Sequence, residues 1–159
     1  LTAKLPSENA ALNALITQRR AKYPSAKSSG ELGAAVFAKH CAACHKLFGE
    51  GGKLAPDLTM TSRKDLDALL VNIVDPGAVI RRDFLASVIV TKSGRSVTGL
   101  VVDRKGDDLS VADAKGKIVR VPKSDIEIER VSDTSVMPER LLEQLSPQQL
   151  RDLMAYLQK

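Results

Sequence analysis

The chain has 159 residues, a length that suits one domain or one domain with an insertion. Hydrophobic residues make up 43% of it and aromatic residues only 3%. A large core must therefore be built from aliphatic side chains or be completed by a bound, flat, apolar group. The formal net charge is +5, but no stretch combines a dense Lys/Arg run with interleaved aromatic residues. This pattern argues against nucleic-acid binding. No apolar run approaches the length of a membrane span.

Four segments are predicted to be helical because their apolar residues recur at helical spacing. They cover 7–22, about 29–41, 62–74 and a last segment that begins after Ser146. Residues able to cap a helix precede each of them. The predicted caps are Ser7, the pair Ser28 and Glu31, the pair Ser62 and Asp65, and the sequence Ser146-Pro147-Gln148-Gln149.

The pattern changes between residues 84 and 131, where β-branched residues come in five short runs. Tight-turn pairs separate these runs at Ser93-Gly94, Gly106-Asp107 and Lys115-Gly116. The sequence therefore predicts a four- or five-stranded antiparallel meander, inserted into an otherwise helical chain. The predicted organisation is an N-terminal helix and linker (1–28), a helical domain (29–83 and 132–159) and an inserted β-rich subdomain (84–131).

The chemistry of the chain centres on Cys41-Ala42-Ala43-Cys44-His45, a CxxCH sequence. This sequence is the attachment signature of c-type haem. Two thiols three residues apart can reach the two vinyl groups on one porphyrin edge, and the following imidazole then lies beneath the iron. No other cysteine is present for a long-range disulfide. We therefore expect one covalent haem c per chain.

Other uses of these residues are less favourable. A zinc site would need four ligands, and His40, Cys41, Cys44 and His45 are crowded along one backbone turn. A thioredoxin-like CxxC would follow a strand, whereas here a helix leads into it. His40 is the only other histidine, and it lies too close to the CxxCH sequence to cross to the far face of a haem.

The sixth iron ligand must then come from elsewhere, and the three methionines are the candidates. Met154 lies on the apolar stripe of the last helix, where a core position is expected. Met60 follows the Pro56-Asp57-Leu58 loop and is a lesser candidate. Met137 lies in a loop before the last helix, and Pro138 restricts its backbone. Met137 is therefore the predicted ligand opposite His45.

These residues together resemble the class I cytochromes c. Gly33, Phe37 and Tyr156 match the residues at which the N- and C-terminal helices of that family cross. Pro56 and Leu58 match its Pro-x-Leu, in which the proline carbonyl accepts a hydrogen bond from the haem histidine. Ala55 stands where the family commonly has glycine. Met137-Pro138 matches the axial methionine.

The resemblance is closest to the Pirellula/Verrucomicrobium-type haem-binding domain, in which a β-rich insertion precedes the methionine loop. It implies a mainly α fold, a class I cytochrome c core with an inserted small antiparallel β subdomain (α+β overall). It also implies a periplasmic or otherwise extracytoplasmic electron carrier rather than an enzyme, at the C-terminal end of a larger redox protein. Its partners would be redox donor and acceptor proteins or a fused dehydrogenase domain.

One alternative to electron transfer remains open at this point. If Met137 does not bind iron, the haem would have an open distal site and would suit a catalyst or a sensor of small ligands. Arg140 is near enough in the sequence to serve such a site. The chain starts at Leu1 without an export signal, so we expect that a signal has been removed or that the chain is part of a longer protein.

Overall fold

The computed structural model describes residues 10–21, 27–139 and 141–159, with only the backbone of Leu142. The chain divides into two compact units. The first, called here the helical unit, contains the described residues up to Val79 and those from Glu139 onward. The second, the sheet unit, is Ile80–Pro138.

The helical unit contains four α-helices, as the sequence predicts. They are α1 (Ala10–Ala21), α2 (Gly30–His40), α3 (Leu66–Val74) and α4 (Pro147–Leu157). A two-residue hairpin, β1 (Lys46–Leu47) and β2 (Glu50–Gly51), follows the CxxCH turn. The proposed cap Ser7 and residues 22–26 lie outside the described residues.

The predicted caps of α2 and α3 were wrong. Ser29, and not Ser28, caps α2, and its hydroxyl accepts the Leu32 N–H at 3.3 Å. In a capping box a residue of the helix itself accepts the N–H of the cap residue. Here Asp152 of α4 accepts the Ser29 N–H at 2.7 Å, so Glu31 is not needed for that bond.

The third helix starts four residues later than predicted because Asp65 is a strong cap by itself. Its carboxylate accepts the N–H groups of Asp67 and Ala68 at 3.0 and 3.1 Å. For α4 the prediction is confirmed. Ser146 and Gln149 form a reciprocal capping box, and Pro147 is the first helical residue.

The close crossing of α2 and α4 organises the helical unit. A Cβ at Gly33 would collide with the backbone carbonyl of Asp152 and would lie 2.8 Å from Tyr156 Cβ. The rings of Phe37 and Tyr156 pack beside this point with centroids 5.7 Å apart. Glycine is therefore required for the two helices to approach this closely.

The sheet unit contains one five-stranded antiparallel sheet in the order β6-β5-β4-β3-β7. Its strands are β3 (Leu85–Thr91), β4 (Ser96–Asp103), β5 (Asp108–Ala112), β6 (Ile118–Pro122) and β7 (Ile126–Ser135). The first four form the predicted meander. The fifth does not continue it, because β7 pairs with β3, for example Val90 with Ile128.

This order requires the sheet to curl. Only the short 3-10 turn Lys123–Asp125 joins the two edge strands. Four residues extend at most about 14 Å, whereas five flat strands span about 19 Å. The curled sheet encloses an aliphatic core of Ile89, Leu109, Val111 and Val121.

The fold is α+β, and the description of the chain as mainly α is not confirmed. Among the described residues, strands contain about as many residues as α-helices. The sequence pattern identified the inserted strands but underestimated their extent. The strand that begins at Ile126 continues past the predicted limit of 131 to Ser135.

Candidate haem site

The CxxCH sequence forms a tight turn directly after α2. The Cys41 N–H donates to the Phe37 carbonyl at 2.8 Å as the last helical bond. The N–H of His45 then donates back to the Cys41 carbonyl at 2.9 Å. This turn brings the two cysteines and the histidine to one end of α2.

The His45 ring is oriented by a backbone group. Its Nδ1 lies 2.9 Å from the carbonyl oxygen of Pro56, so Nδ1 carries the proton and donates. The lone pair then belongs to Nε2, the atom able to bind a metal. Burial lowers the pKa of His45, and the weaker opposing influence is the hydrogen bond to Pro56. The ring therefore favours the neutral form that iron ligation needs.

The two cysteines of the turn are half-buried and are not joined by a disulfide. Burial, with a smaller contribution from Cys44, raises the pKa of Cys41 to about 12. The Cys41 side chain therefore lies in apolar surroundings, where a charged thiolate is unfavourable. Such surroundings suit a group as apolar as a porphyrin ring.

A hairpin that the sequence analysis did not identify follows the histidine. Phe48 lies in its turn with a φ of 52°, a left-handed conformation that is costly for an aromatic residue. Its ring packs edge-on against Tyr156 with centroids 5.7 Å apart. The Arg63 guanidinium lies 4.9 Å from the Phe48 centroid. These contacts offset the backbone strain.

The loop that carries Pro56 continues into a short 3-10 helix, Leu58–Met60, with Leu58 half-buried at its start. Asp57 caps this turn by accepting the Thr59 N–H at 2.9 Å. The Thr59 hydroxyl oxygen accepts the N–H of Phe48 at 2.8 Å. The proline loop and the hairpin are therefore bonded to each other shortly after Pro56 and His45.

The three methionines have different environments. Met154 is fully buried in α4, which confirms its expected position in the core. Met60 is 86% exposed. Met137 is half-buried at the end of the sheet unit, and its N–H donates to the Ser135 hydroxyl at 3.1 Å. Arg140, considered above for an open distal site, lies outside the described residues.

A comparison with known protein families matches the segment that contains the CxxCH turn and the Pro56 loop. Residues 30–86 match the family model of cytochrome c. The match covers about a third of the chain and shows that this segment is similar to cytochrome c domains. Covalent c-type haem with iron is the cofactor that goes with this similarity, and Cys41 and Cys44 fit the CxxCH sequence of the family. No curated protein matches the chain.

The residues of the turn fit the haem that the family implies. The His45 imidazole has its Nε2 lone pair available, and two thiols lie at the spacing that thioether bonds require. Within 10–21, 27–139 and 141–159, no three or more His, Cys, Asp or Glu side chains group as metal ligands. No described helix is long and apolar enough to cross a membrane.

Two features of the site were missed by sequence reasoning. The Phe48 turn was missed because glycine or asparagine, and not phenylalanine, signals that conformation. The bond from the N–H of the cap residue Ser29 to Asp152 was missed because the two residues are 123 positions apart in sequence. The adjacent pair Phe48-Gly49 was the one available signal, since a glycine often marks a tight hairpin turn.

Proposed function

We propose that this chain carries single electrons through one haem c attached to Cys41 and Cys44, with the iron held by His45 and Met137. The hydrogen bond from His45 to Pro56, inside a segment that matches the cytochrome c family, carries the proposal. The match of that segment to the cytochrome c family supports haem-based electron transfer in general. The choice of axial ligands is our own inference.

The protein's part in this function is to bind, orient and shield. When bound, the haem supplies an iron that changes between the ferric and ferrous states. Pro56 fixes the ring plane of His45 and increases its basicity through the Nδ1 hydrogen bond. Two constant axial ligands leave little to rearrange when the charge changes, which favours outer-sphere transfer. A thioether ligand favours the ferrous state and raises the reduction potential.

Met137 is the ligand we propose opposite His45, and chain connectivity supports it. Met137 lies two residues before Glu139, where the chain re-enters the helical unit. Its backbone is restrained on both sides, by the bond to Ser135 and by Pro138. The side chain of Met154, in α4, is fully buried in the core, whereas Met60 is 86% exposed. Met137 thus combines a restrained loop with a side chain outside any helix.

We further propose the wider setting that the resemblance implies. The chain is the C-terminal part of a larger extracytoplasmic redox protein of the Pirellula/Verrucomicrobium type. It exchanges electrons with donor and acceptor proteins or with a fused dehydrogenase domain. It performs no catalysis of its own.

The proposal is tested on protein made in a host with haem-ligation machinery. Denaturing mass spectrometry is expected to give the chain plus one haem, and redox titration one reversible one-electron step. Carbon monoxide is expected to bind the ferrous protein slowly, because Met137 occupies the distal position. Rapid binding of carbon monoxide by the unmodified protein contradicts the His/Met assignment and favours a catalyst or a ligand sensor.

A further inference from the structure

Two segments run side by side around the haem histidine, and three bonds join them from His45 onward. His45 Nδ1 donates to the Pro56 carbonyl at 2.9 Å. The Lys46 ammonium lies 3.7 Å from the Asp57 carboxylate. The Phe48 N–H donates to the Thr59 hydroxyl oxygen at 2.8 Å. Each bond joins residues separated by the same interval in sequence, so the two segments are held in one register.

The three bonds are not equivalent in strength. The Lys46–Asp57 pair is long and exposed, with side chains 35% and 38% accessible, and such pairs contribute little. The bond from Phe48 to Thr59 is short and involves a backbone donor in a strained turn. Thr59 also donates its backbone N–H to the Asp57 carboxylate at 2.9 Å. After Pro56, Thr59 is therefore the residue at which the two segments are most firmly joined.

Leu47, between these bonded residues, has no exposed surface. The hairpin is thus anchored inward by Leu47 and sideways by the bond between Phe48 and Thr59. Before Pro56, the N–H groups of Leu54 and Ala55 donate to the Cys44 carbonyl at 3.1 and 3.0 Å and hold the start of the loop. After Pro56, the loop is held by the bond to Thr59 and by the weaker Lys46–Asp57 pair. If the bond to Thr59 is lost, the hairpin can remain packed while the Pro56 carbonyl moves relative to the His45 ring.

We propose that Thr59 is a positioning residue for the haem histidine. Its hydroxyl fixes the loop that carries Pro56, and so sets the strength of the His45–Pro56 hydrogen bond and the reduction potential. This inference rests on the proposed function, because it requires His45 to be an iron ligand. It concerns the hydrogen bond from His45 Nδ1 to the Pro56 carbonyl, and it is independent of the identity of the sixth iron ligand.

The test compares holoproteins that carry Thr59→Val, Thr59→Ser and Thr61→Val. Valine has the shape of threonine without the hydroxyl, and serine keeps the hydroxyl. Thr61 is the matched control, since its hydroxyl donates to the Leu58 carbonyl at 2.9 Å and does not contact the hairpin in that bond. The measurements are the reduction potential and the solvent exchange of the His45 Nδ1–H proton by NMR.

Thr59→Val is expected to raise the reduction potential, because a weaker hydrogen bond leaves His45 less basic and stabilises ferric iron less. Exchange of the Nδ1–H proton is expected to become about fivefold faster, in line with the loss of one ordinary hydrogen bond. Thr59→Ser and Thr61→Val are expected to keep the unmodified values for both measurements.

Unchanged potential and proton exchange in haem-loaded Thr59→Val overturn the role of Thr59 and leave the proposed function standing. An equal change in Thr61→Val also overturns that role, because the effect would then be a general loosening of the 3-10 turn. An unmodified protein that takes up no covalent haem, or whose iron is not bound by His45, overturns both proposals.

Discussion

The two units of the chain are stabilised in different ways. The helical unit depends on side-chain contacts between residues far apart in sequence, such as Ser29 with Asp152 and Arg63 with the Leu157 carbonyl. Most of the sheet unit is held by backbone pairing between strands that follow one another along the chain. The cysteines and the histidine of the haem site are in the unit with the distant contacts. Damage to single helix contacts is therefore expected to affect the haem, whereas damage within the sheet is expected to remain local.

The largest effect on the unit that carries the haem residues is expected at the helix crossing. Gly33→Ala places a Cβ against the Asp152 carbonyl, so α2 and α4 must move apart. Overpacking against backbone is expected to cost about 3 kcal/mol. Thermal unfolding followed by haem absorbance measures the loss. Gly30→Ala, in the same helix, is the control, because its Cβ would meet only the flexible Lys159 side chain. Equal melting temperatures for the two variants would contradict the close crossing.

A comparable loss of stability, confined to the other unit, is expected from Ile89→Ala. Ile89 has no exposed surface and belongs to the core that the curled sheet encloses. Truncation of such a residue costs about 2–5 kcal/mol. Hydrogen exchange is expected to speed up in β3 and its neighbours while the haem spectrum stays unchanged. A change in haem ligation in this variant would show that the sheet core supports the haem site.

A smaller effect is expected at the link between α2 and α4. Asp152 is 3% exposed, and its carboxylate accepts the Ser29 N–H and the Gln148 amide at 2.7 and 2.9 Å. Asp152→Ala leaves both donors without this acceptor, which costs about 1–3 kcal/mol. Chemical denaturation monitored at the haem measures it. Asp133→Ala, on the exposed surface of β7, is the control and is expected to change stability by less than about 0.5 kcal/mol.

The smallest expected effect is a pH dependence of local stability around Asp57. Hydrogen bonds from Thr59, with a lesser contribution from Lys46, hold the pKa of Asp57 below its ordinary value. Because the folded pKa is the lower one, the ionised carboxylate stabilises the fold above the unfolded pKa. That contribution is lost as the pH falls through the folded value.

The protection of the Thr59 N–H from hydrogen exchange, relative to the intrinsic rate at each pH, is therefore expected to fall in acid in the unmodified protein. The same acid-dependent change is expected to be absent from Asp57→Asn. An identical pH profile in both proteins would rule out this origin of the effect.

More of the sheet unit than of the helical unit could be predicted from the sequence, because strands that are neighbours in sequence pair locally, whereas the helical unit depends on distant contacts. The strands and their turns were predicted because the signals are local, and Gly94, Gly106 and Gly116 all have the positive φ that tight turns need. The return of β7 to β3 was not predicted, because alternation of apolar residues does not specify which strands pair. In the helical unit, the cap of α4 was predicted from four adjacent residues.

For the site, the CxxCH spacing identified the haem cysteines and the histidine, because all three residues lie within five consecutive positions. The resemblance supplied the partner of the histidine, Pro56. The sequence did not indicate the bond between Phe48 and Thr59, because it depends on a strained turn that is held by Tyr156 from another helix. Side-chain contacts of this kind become visible only in three dimensions.

The central claim is that His45 and Met137 together hold a haem iron for electron transfer. The most direct measurement is the sulfur-to-iron charge-transfer band of the ferric protein, compared among the unmodified chain, Met137→Ala and Met60→Ala. We expect the band in the unmodified chain and in Met60→Ala. In Met137→Ala it is expected to disappear, with a lower reduction potential and with covalent haem retained. A band that persists in Met137→Ala and disappears in Met60→Ala would contradict the account.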